Sequence, residues 1–205
     1  MAKLKLCVLI SGRGSNLQSL IDACTENDYP AEIALVISNI DAVLGLERAK
    51  DAGIPTAVLS HKKFDNRETF DTALSELIEK SGADLVCLAG FMRILTADFV
   101  KHWFDRLINI HPSLLPAYKG LHVHERVIEA GEEFSGCTVH YVRPDMDSGP
   151  IIQQAKVAIE NGDNADTLAA RVLEQEHVIY PQAVRLIAEG RVRIEDERVV
   201  INNGS

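Results

Sequence analysis

Short apolar runs alternate with amphipathic stretches along the first half of the chain. The runs are continuously apolar, which is typical of strands that are covered on both faces of a parallel sheet. The predicted strands are Leu4–Ile10, Glu32–Ser38, Thr56–Leu59, Leu85–Ala89 and Arg106–Ile110. The stretches between them have apolar residues at helical spacing, and the predicted helices are Asn16–Glu26, Leu44–Ala52, Arg67–Lys80 and Ala97–Trp103. This alternation indicates an α/β fold with helices on both faces of the sheet.

The pattern changes in the last third of the chain, where two β-rich runs are separated only by an acidic loop. They predict an antiparallel C-terminal addition, followed by a long helix that Pro181 is expected to disturb and by a small terminal hairpin. These predicted elements are Thr138–Val142, Ile151–Ile159, Asp166–Glu189, and Val192–Ile194 with Val199–Ile201. The fold class is therefore predicted to be α/β and Rossmann-like, with a mostly parallel central sheet. Ligands of such folds bind beyond the carboxyl ends of the strands.

Length, charge and cysteine usage narrow the class of protein. The 205 residues predict a single domain over 1–205, with halves of about 1–105 and 106–205. The net charge of -9 argues against broad nucleic-acid binding, which requires a basic face. The four cysteines show no metal or redox spacing, which predicts reduced thiols and a cytoplasmic location. The N-terminal apolar run is too short to span a membrane, so no membrane association is predicted.

A glycine-containing loop joins the first predicted strand to the first predicted helix. Gly14 allows close approach of the backbone to a ligand, while Ser15 and Asn16 add polar side chains at the start of the helix. Free amides at a helix N-terminus favour an anion, and phosphate is the natural candidate. The sequence is not a full dinucleotide fingerprint, since Leu17 occupies the position of the third glycine. A simple tight turn is the alternative interpretation.

Asn109 and His111 stand two residues apart at the end of a predicted strand, just before Pro112. Side chains at i and i+2 extend from the same side of a strand, so an amide and an imidazole are expected side by side. The amide can donate a hydrogen bond to an oxygen that becomes negative, and the imidazole can donate a bond or a proton. A carboxylate such as Asp147, in the acidic loop, would favour the charged imidazole. This set suits acyl transfer without a covalent intermediate.

Each of these residues also has an ordinary structural interpretation. His111 can be a hydrogen-bonded core histidine, Asn109 can cap a turn, and Asp147 can shape a loop. His122 and His124 form a His-x-His pair without a third ligand at motif spacing, so no metal is predicted.

Two further charged residues have open interpretations. Glu176 interrupts the apolar stripe of the last long helix, so it either faces a polar ligand or is solvated by a local rotation of the helix. Arg67 is either a surface charge or a partner of a ligand carboxylate.

Several motifs in the same order resemble the family of glycinamide ribonucleotide transformylases, which are folate-dependent formyltransferases of purine synthesis. The resemblance covers nearly the whole chain. The motifs are Val8–Gly12 with Gly14–Leu17, Leu88–Leu95, Asn109–Pro116 and Met146–Pro150.

The resemblance implies roles for residues in every part of the chain. It implies that Asn109, His111 and Asp147 are catalytic, and that Gly14, Ser15, Asn16 and Glu176 bind the phosphate and ribose of the substrate. It assigns folate binding to a larger set: Arg67, Met92, Arg93, Ile94, Leu95, Asn109, Arg143, Pro144, Asp145, Met146 and Asp147.

The implied activity is transfer of a formyl group from 10-formyltetrahydrofolate to the amine of N1-(5-phosphoribosyl)glycinamide. The reduced folate is then the co-substrate, the N-terminal half binds phosphate, and the C-terminal half binds folate and carries the catalytic residues. Neither a monomer nor a homodimer is favoured by the sequence.

The arrangement of Asn-x-His with a distant Asp also resembles that of two related enzymes. A protein that binds its ligand without catalysis is a further alternative. Methionyl-tRNA formyltransferase carries an additional C-terminal domain, and formyltetrahydrofolate hydrolase an additional N-terminal one, for which this chain has no space. A nucleotide- or folate-binding module without catalysis is the third alternative. The phosphate-loop match favours glycinamide ribonucleotide as the acceptor.

Overall fold

The structure of the protein is a computed structural model that describes residues 2–202. The chain folds into two compact units, and the boundary between them falls between Asn109 and Ile110. The expectation of one domain with two halves stays a prediction.

The first unit is built around parallel strands that are separated by helices. The strands lie in the order β3-β2-β1-β4-β5, and all of their pairings are parallel. Their bounds are β1 Leu4–Ile10, β2 Ala31–Ser38, β3 Thr56–Val58, β4 Leu85–Leu88 and β5 Leu107–His111. The helices are α1 Ser15–Thr25, α2 Leu44–Asp51, α3 Arg67–Lys80 and α4 Ala97–His102, with a 3-10 turn at His61–Lys63. Strands β1, β4 and β5 are almost fully buried, as continuous apolar runs require.

Side-chain caps begin two of the four helices of this unit. The Asn66 side chain accepts a hydrogen bond from the amide of Thr69 at the start of α3, and that of Thr96 accepts one from Phe99 at the start of α4. Helix α1 packs against α2, and α3 packs against α4.

The second unit contains an antiparallel pair of strands, a long helix and a terminal hairpin. Strands β6 and β7 pair in antiparallel register from Phe134 opposite Ala158 to His140 opposite Ile151, and α6 packs against both. The elements are α5 Val123–Glu129, β6 Phe134–Tyr141, β7 Ile151–Ala158, α6 Ala165–Ala188, β8 Val192–Glu195 and β9 Arg198–Ile201. Asn164 and Thr167 form a capping box at the start of α6. The predicted fold class is confirmed, including the antiparallel C-terminal strands and the hairpin.

Several details differ from the prediction. Helix α5 was not predicted, and β6 begins four residues earlier than expected, at Phe134 rather than Thr138. Helix α6 is continuous through Pro181, so the expected disturbance was wrong. Strand β5 also extends to His111, one residue beyond the predicted end at Ile110.

Candidate active site

His111 is the last residue of β5 and is 5% exposed. Its Nε2 donates a hydrogen bond to the backbone oxygen of Tyr118 at 3.0 Å, and its Nδ1 lies 3.5 Å from Asp147 Oδ2. Both partners can only accept hydrogen bonds, so each ring nitrogen of His111 faces an acceptor. The structure therefore brings together two of the three predicted catalytic residues.

Asp147 lies in the acidic loop between β6 and β7 with a left-handed backbone, φ 44°. Its Oδ2 accepts a hydrogen bond from the amide of Gly120 at 2.7 Å, besides facing His111. The side chain is 15% exposed. A carboxylate with one amide donor and one histidine beside it is held in place from two sides.

Two more histidines lie close enough to His111 to interact with its charge. Burial lowers the pKa of His140 and of His124, and the charge on His111 lowers both further. His140 Nδ1 donates to the backbone oxygens of Tyr141 at 2.9 Å and Ser148 at 3.2 Å. His124 Nδ1 is buried and has no hydrogen-bond partner within residues 2–202. Both environments favour the neutral imidazole, which leaves His111 as the histidine that is paired with a carboxylate.

The segment that follows β5 is fixed by hydrogen bonds to β6 and β7. Thr138 Oγ1 donates to the backbone oxygen of Ser113 at 2.6 Å and accepts from the amide of Leu115 at 3.1 Å. Gln154 Nε2 donates to Thr138 Oγ1 at 2.8 Å and to the backbone oxygen of Leu115 at 2.9 Å. These bonds hold the chain between His111 and Tyr118, whose carbonyl contacts His111.

Asn109 also lies in β5, opposite Leu88 of β4, and is half-buried. Because Asn109 and His111 are two residues apart on one strand, their side chains leave the strand on the same side. The joint action of Asn109 and His111 in one site stays a prediction.

The predicted phosphate loop turns tightly into α1. Gly14 has φ 67° and ψ 37°, Ser15 is the first helical residue, and Asn16 is buried. The loop lies against α2: the amide of Gly45 donates to the oxygen of Gly12 at 3.1 Å, and a Cβ on Gly14 would lie 2.7 Å from the α-carbon of Gly45. Only glycine fits at this contact, since Gly14 needs both the space and the left-handed backbone.

The predicted folate segment Met92–Leu95 contacts the residue that follows β1 and a ring of α3. The amide of Met92 donates to Ser11 Oγ at 2.8 Å, while the Met92 side chain is 72% exposed and that of Ile94 61% exposed. The Arg93 guanidinium lies 4.9 Å from the centre of the Phe70 ring. Exposed apolar side chains at a strand end are suited to contact a flat organic ligand.

Arg67 and Arg93 both lie near the buried carboxylate of Asp71. Burial raises the pKa of Asp71, whereas the amide of Thr96 at 2.6 Å and the charges of Arg93 and Arg67 lower it. Neither Asp71 Oδ1 nor Arg93 Nε has a hydrogen-bond partner within the described residues. The two arginines thus form a cationic pair on the first unit, which neither spacing nor periodicity indicated.

In the acidic loop, Pro144, Asp145 and Met146 are exposed, while Arg143 is turned toward the terminal hairpin. The Arg143 guanidinium binds the carboxylate of Glu197, so the loop presents its backbone and its central side chains rather than this guanidinium.

Glu176 lies on the buried face of α6 with 7% exposure. Burial raises the pKa of the nearby Cys137 thiol, and the charge of Glu176 raises it further. The interpretation of Glu176 as a solvated residue was therefore wrong. His122 is exposed and pairs with Glu125 at 3.7 Å.

Sequence reasoning missed the Tyr118 carbonyl and His124 as neighbours of His111. A backbone carbonyl carries no sequence signal, and His124 lies on the helix α5 that was not predicted. Within residues 2–202, no group of three His, Cys, Asp or Glu side chains is arranged to hold a metal ion. No helix among these residues is long and apolar enough to cross a membrane.

Comparison with known proteins places this geometry in a family. The sequence profile described as Formyl transferase matches residues 4–184. Phosphoribosylglycinamide formyltransferase of Escherichia coli (strain K12) is 48% identical over 94% of this chain and 91% of its own length. The trifunctional purine biosynthetic protein adenosine-3 of Bos taurus is 52% identical over 94% of this chain, which spans only 19% of that protein.

A solved structure agrees with the sequence matches. The crystal structure of glycinamide ribonucleotide transformylase 1 from Symbiobacterium toebii has a TM-score of 0.96 and 45% identity, covering 98% of this chain and 95% of that one. Because the profile covers most of the chain and the Escherichia coli relative is matched over nearly its full length, this chain belongs to the formyl transferase family.

Proposed function

We propose that this chain transfers the formyl group of 10-formyltetrahydrofolate to the amine of N1-(5-phosphoribosyl)glycinamide, in purine synthesis. The observation that carries the proposal is His111, whose two nitrogens face a carbonyl oxygen and a carboxylate. Such a histidine can donate to a carbonyl-type oxygen while the carboxylate balances its charge. The Escherichia coli relative, named for this activity, supports the acceptor.

In the proposed reaction, the substrate amine attacks the formyl carbon, and a tetrahedral adduct places negative charge on the former carbonyl oxygen. Asn109 and His111 stabilise that oxygen, and Asp147 holds the imidazolium. The bond from the formyl carbon to the folate nitrogen then breaks, and that nitrogen receives the proton lost by the amine. The formyl oxygen takes the place of the Tyr118 carbonyl as the acceptor of the His111 Nε2 proton.

The binding roles follow the same proposal. Gly14, Ser15 and Asn16 bind the substrate phosphate at the start of α1, and Glu176 binds the ribose. The folate contacts Met92, Arg93, Ile94 and Leu95, with Arg67 and Arg93 supplying positive charge for its carboxylates. Arg143, Pro144, Asp145, Met146 and Asp147 contact it through the acidic loop. The reduced thiols support a cytoplasmic location.

The test compares acceptors with the purified protein. Release of tetrahydrofolate is measured with glycinamide ribonucleotide, with water alone and with initiator methionyl-tRNA. We expect release only with glycinamide ribonucleotide. Release with water alone would instead identify a hydrolase, release with the tRNA a tRNA formyltransferase, and binding without release a binding module.

The catalytic assignment makes a first prediction. Asn109→Ala and His111→Ala should each lower kcat by about a hundredfold or more, because each removes a donor to the developing oxyanion. His102→Ala, which removes an exposed histidine of α4, is the control. Near-normal turnover of both site variants would contradict the assignment.

A further inference from the structure

The turn of the terminal hairpin presents a carboxylate to the start of the acidic loop. Strands β8 and β9 are joined by Asp196 and Glu197, both in the left-handed region with φ 48° and 57°. Two left-handed residues are the geometry of a tight hairpin turn, which fixes the position of the second residue. The backbone of Glu197 is therefore fixed by the hairpin turn.

Glu197 and Arg143 form a bidentate ion pair. Arg143 Nε donates to Glu197 Oε2 at 2.7 Å, and a terminal nitrogen of the same guanidinium donates to Oε1 at 3.3 Å. The Arg143 side chain is 9% exposed, whereas that of Glu197 is 60% exposed. Paired contacts of this kind fix the orientation of the guanidinium as well as its position.

Arg143 lies at the start of the loop that carries Asp147. The amide of Tyr141 donates to the oxygen of Pro150 at 2.9 Å, and this bond joins the two ends of the loop. Gly149, with φ 116°, passes so close that a Cβ there would lie 2.1 Å from the oxygen of Tyr141 and 3.0 Å from Cγ of Arg143. The Arg143 side chain is thus packed against the other end of the same loop, and its position affects both ends.

We propose that Glu197 is a positioning residue: through Arg143, it fixes the loop from which Asp147 reaches His111 and which contacts the folate. The proposal rests on the proposed function for its kinetic consequence. The hairpin lies beyond residue 184, so Glu197 is outside the part of the chain that the family profile matches.

The test uses a matched pair of variants in one hairpin. Glu197→Gln removes the charge that binds Arg143 and keeps the size of the side chain, while Glu195→Gln removes the carboxylate that pairs with Arg193 within the hairpin. The kcat and both KM values are measured for these variants and for Glu197→Asp. We expect Glu197→Gln to raise the KM for 10-formyltetrahydrofolate by about fivefold, the upper range for a partly exposed ion pair, with the KM for glycinamide ribonucleotide unchanged. Glu197→Asp should recover part of the loss, and Glu195→Gln should behave like the wild type.

A second measurement does not depend on activity. Amide hydrogen exchange of residues 143–149 should be faster in Glu197→Gln than in Glu195→Gln, with equal melting temperatures. Equal exchange in the two variants, or an equal rise of both KM values, would overturn the proposal. If the wild type fails to use glycinamide ribonucleotide, the proposed function fails, while the exchange comparison still decides the role of Glu197.

Discussion

At the scale of single residues, three neighbouring histidines have different surroundings. His111 faces a carboxylate and a carbonyl, whereas His124 and His140 are placed where burial lowers the pKa. Of the three, the imidazole at the end of β5 is therefore the one that faces a carboxylate.

The lowered pKa values of His124 and His140 predict how stability depends on pH. The unfolded chain takes up protons on these residues near their ordinary pKa of 6.5, while the folded chain resists protonation until the pH is lower. Their contribution to stability is therefore present above about pH 6.5 and is lost as the pH falls below it. Urea unfolding should give a lower free energy of unfolding at about pH 5.5 than at about pH 7.5.

His124→Gln removes one of the two groups and should reduce this difference. A free energy of unfolding that stays constant between the two pH values in the wild type would contradict the interpretation, as would an unchanged difference in the variant.

At the scale of elements, Thr138 connects three segments of the second unit. Its hydroxyl is fully buried and bonds to Ser113, Leu115 and Gln154, which joins the segment after β5 to both β6 and β7. One hydroxyl group therefore holds the chain between His111 and the Tyr118 carbonyl. The geometry of His111 depends on this connection rather than on β5 alone.

Thr138→Val keeps the shape of the side chain and removes its hydrogen bonds. The buried amide of Leu115 loses its acceptor, so the free energy of unfolding should fall by about 1–3 kcal/mol in denaturant titrations. The control is Thr25→Val, since the Thr25 hydroxyl bonds to Asp22 in an exposed position of α1. An equal effect of the two substitutions would show that the buried network is unimportant.

The elements also show how far the sequence could predict this fold. Strands such as β1 and helices such as α3 were predicted with their observed bounds, because continuous apolar runs and apolar residues at helical spacing are local signals. Helix α5 was missed since it has only seven residues, and no side chain caps it at His122.

Long-range contacts explain the remaining differences. Strand β6 starts early because its first residues pair with β7, from Phe134 opposite Ala158, and Gly136 lies so close to β7 that a Cβ would be 2.0 Å from the oxygen of Ala155. Pro181 is tolerated because its neighbours Tyr180 and Ala183 are fully buried, and this packing outweighs one missing hydrogen bond. Within the site, the sequence predicted the proximity of His111 and Asp147, whereas the pairing of Arg143 with Glu197 joins residues 54 apart and had no local signal.

At the scale of the whole molecule, the cysteines report on the integrity of both units. Cys7 lies in β1 and Cys137 in β6, both fully buried, and burial raises the pKa of each thiol to about 12. Cys24, which is half-buried in α1, has its pKa raised to about 11, with burial as the largest cause. Within residues 2–202, none of the four cysteines forms a disulfide. The fold therefore suppresses the reactivity of these thiols. A thiol becomes reactive when the unit that contains it unfolds.

Thiol labelling should reveal this protection directly. With an aromatic disulfide reagent at about pH 8, the native protein should react slowly, because the reactive thiolate is a very small fraction of each perturbed cysteine. In denaturant, all four thiols should react rapidly. Rapid labelling of Cys7 or Cys137 in the native protein, identified by mass spectrometry, would contradict the buried placement of these strands.

The contact of Gly14 with Gly45 has a consequence for the entropy of binding. A loop that is pressed against a helix backbone has few other conformations to lose when an anion arrives. If the loop binds phosphate as proposed, the amides already aligned at the start of α1 set its affinity, and ordering the chain lowers that affinity little. A substitution of Gly45 would in that case weaken phosphate binding without contacting the ligand, because a larger side chain there would displace Gly14.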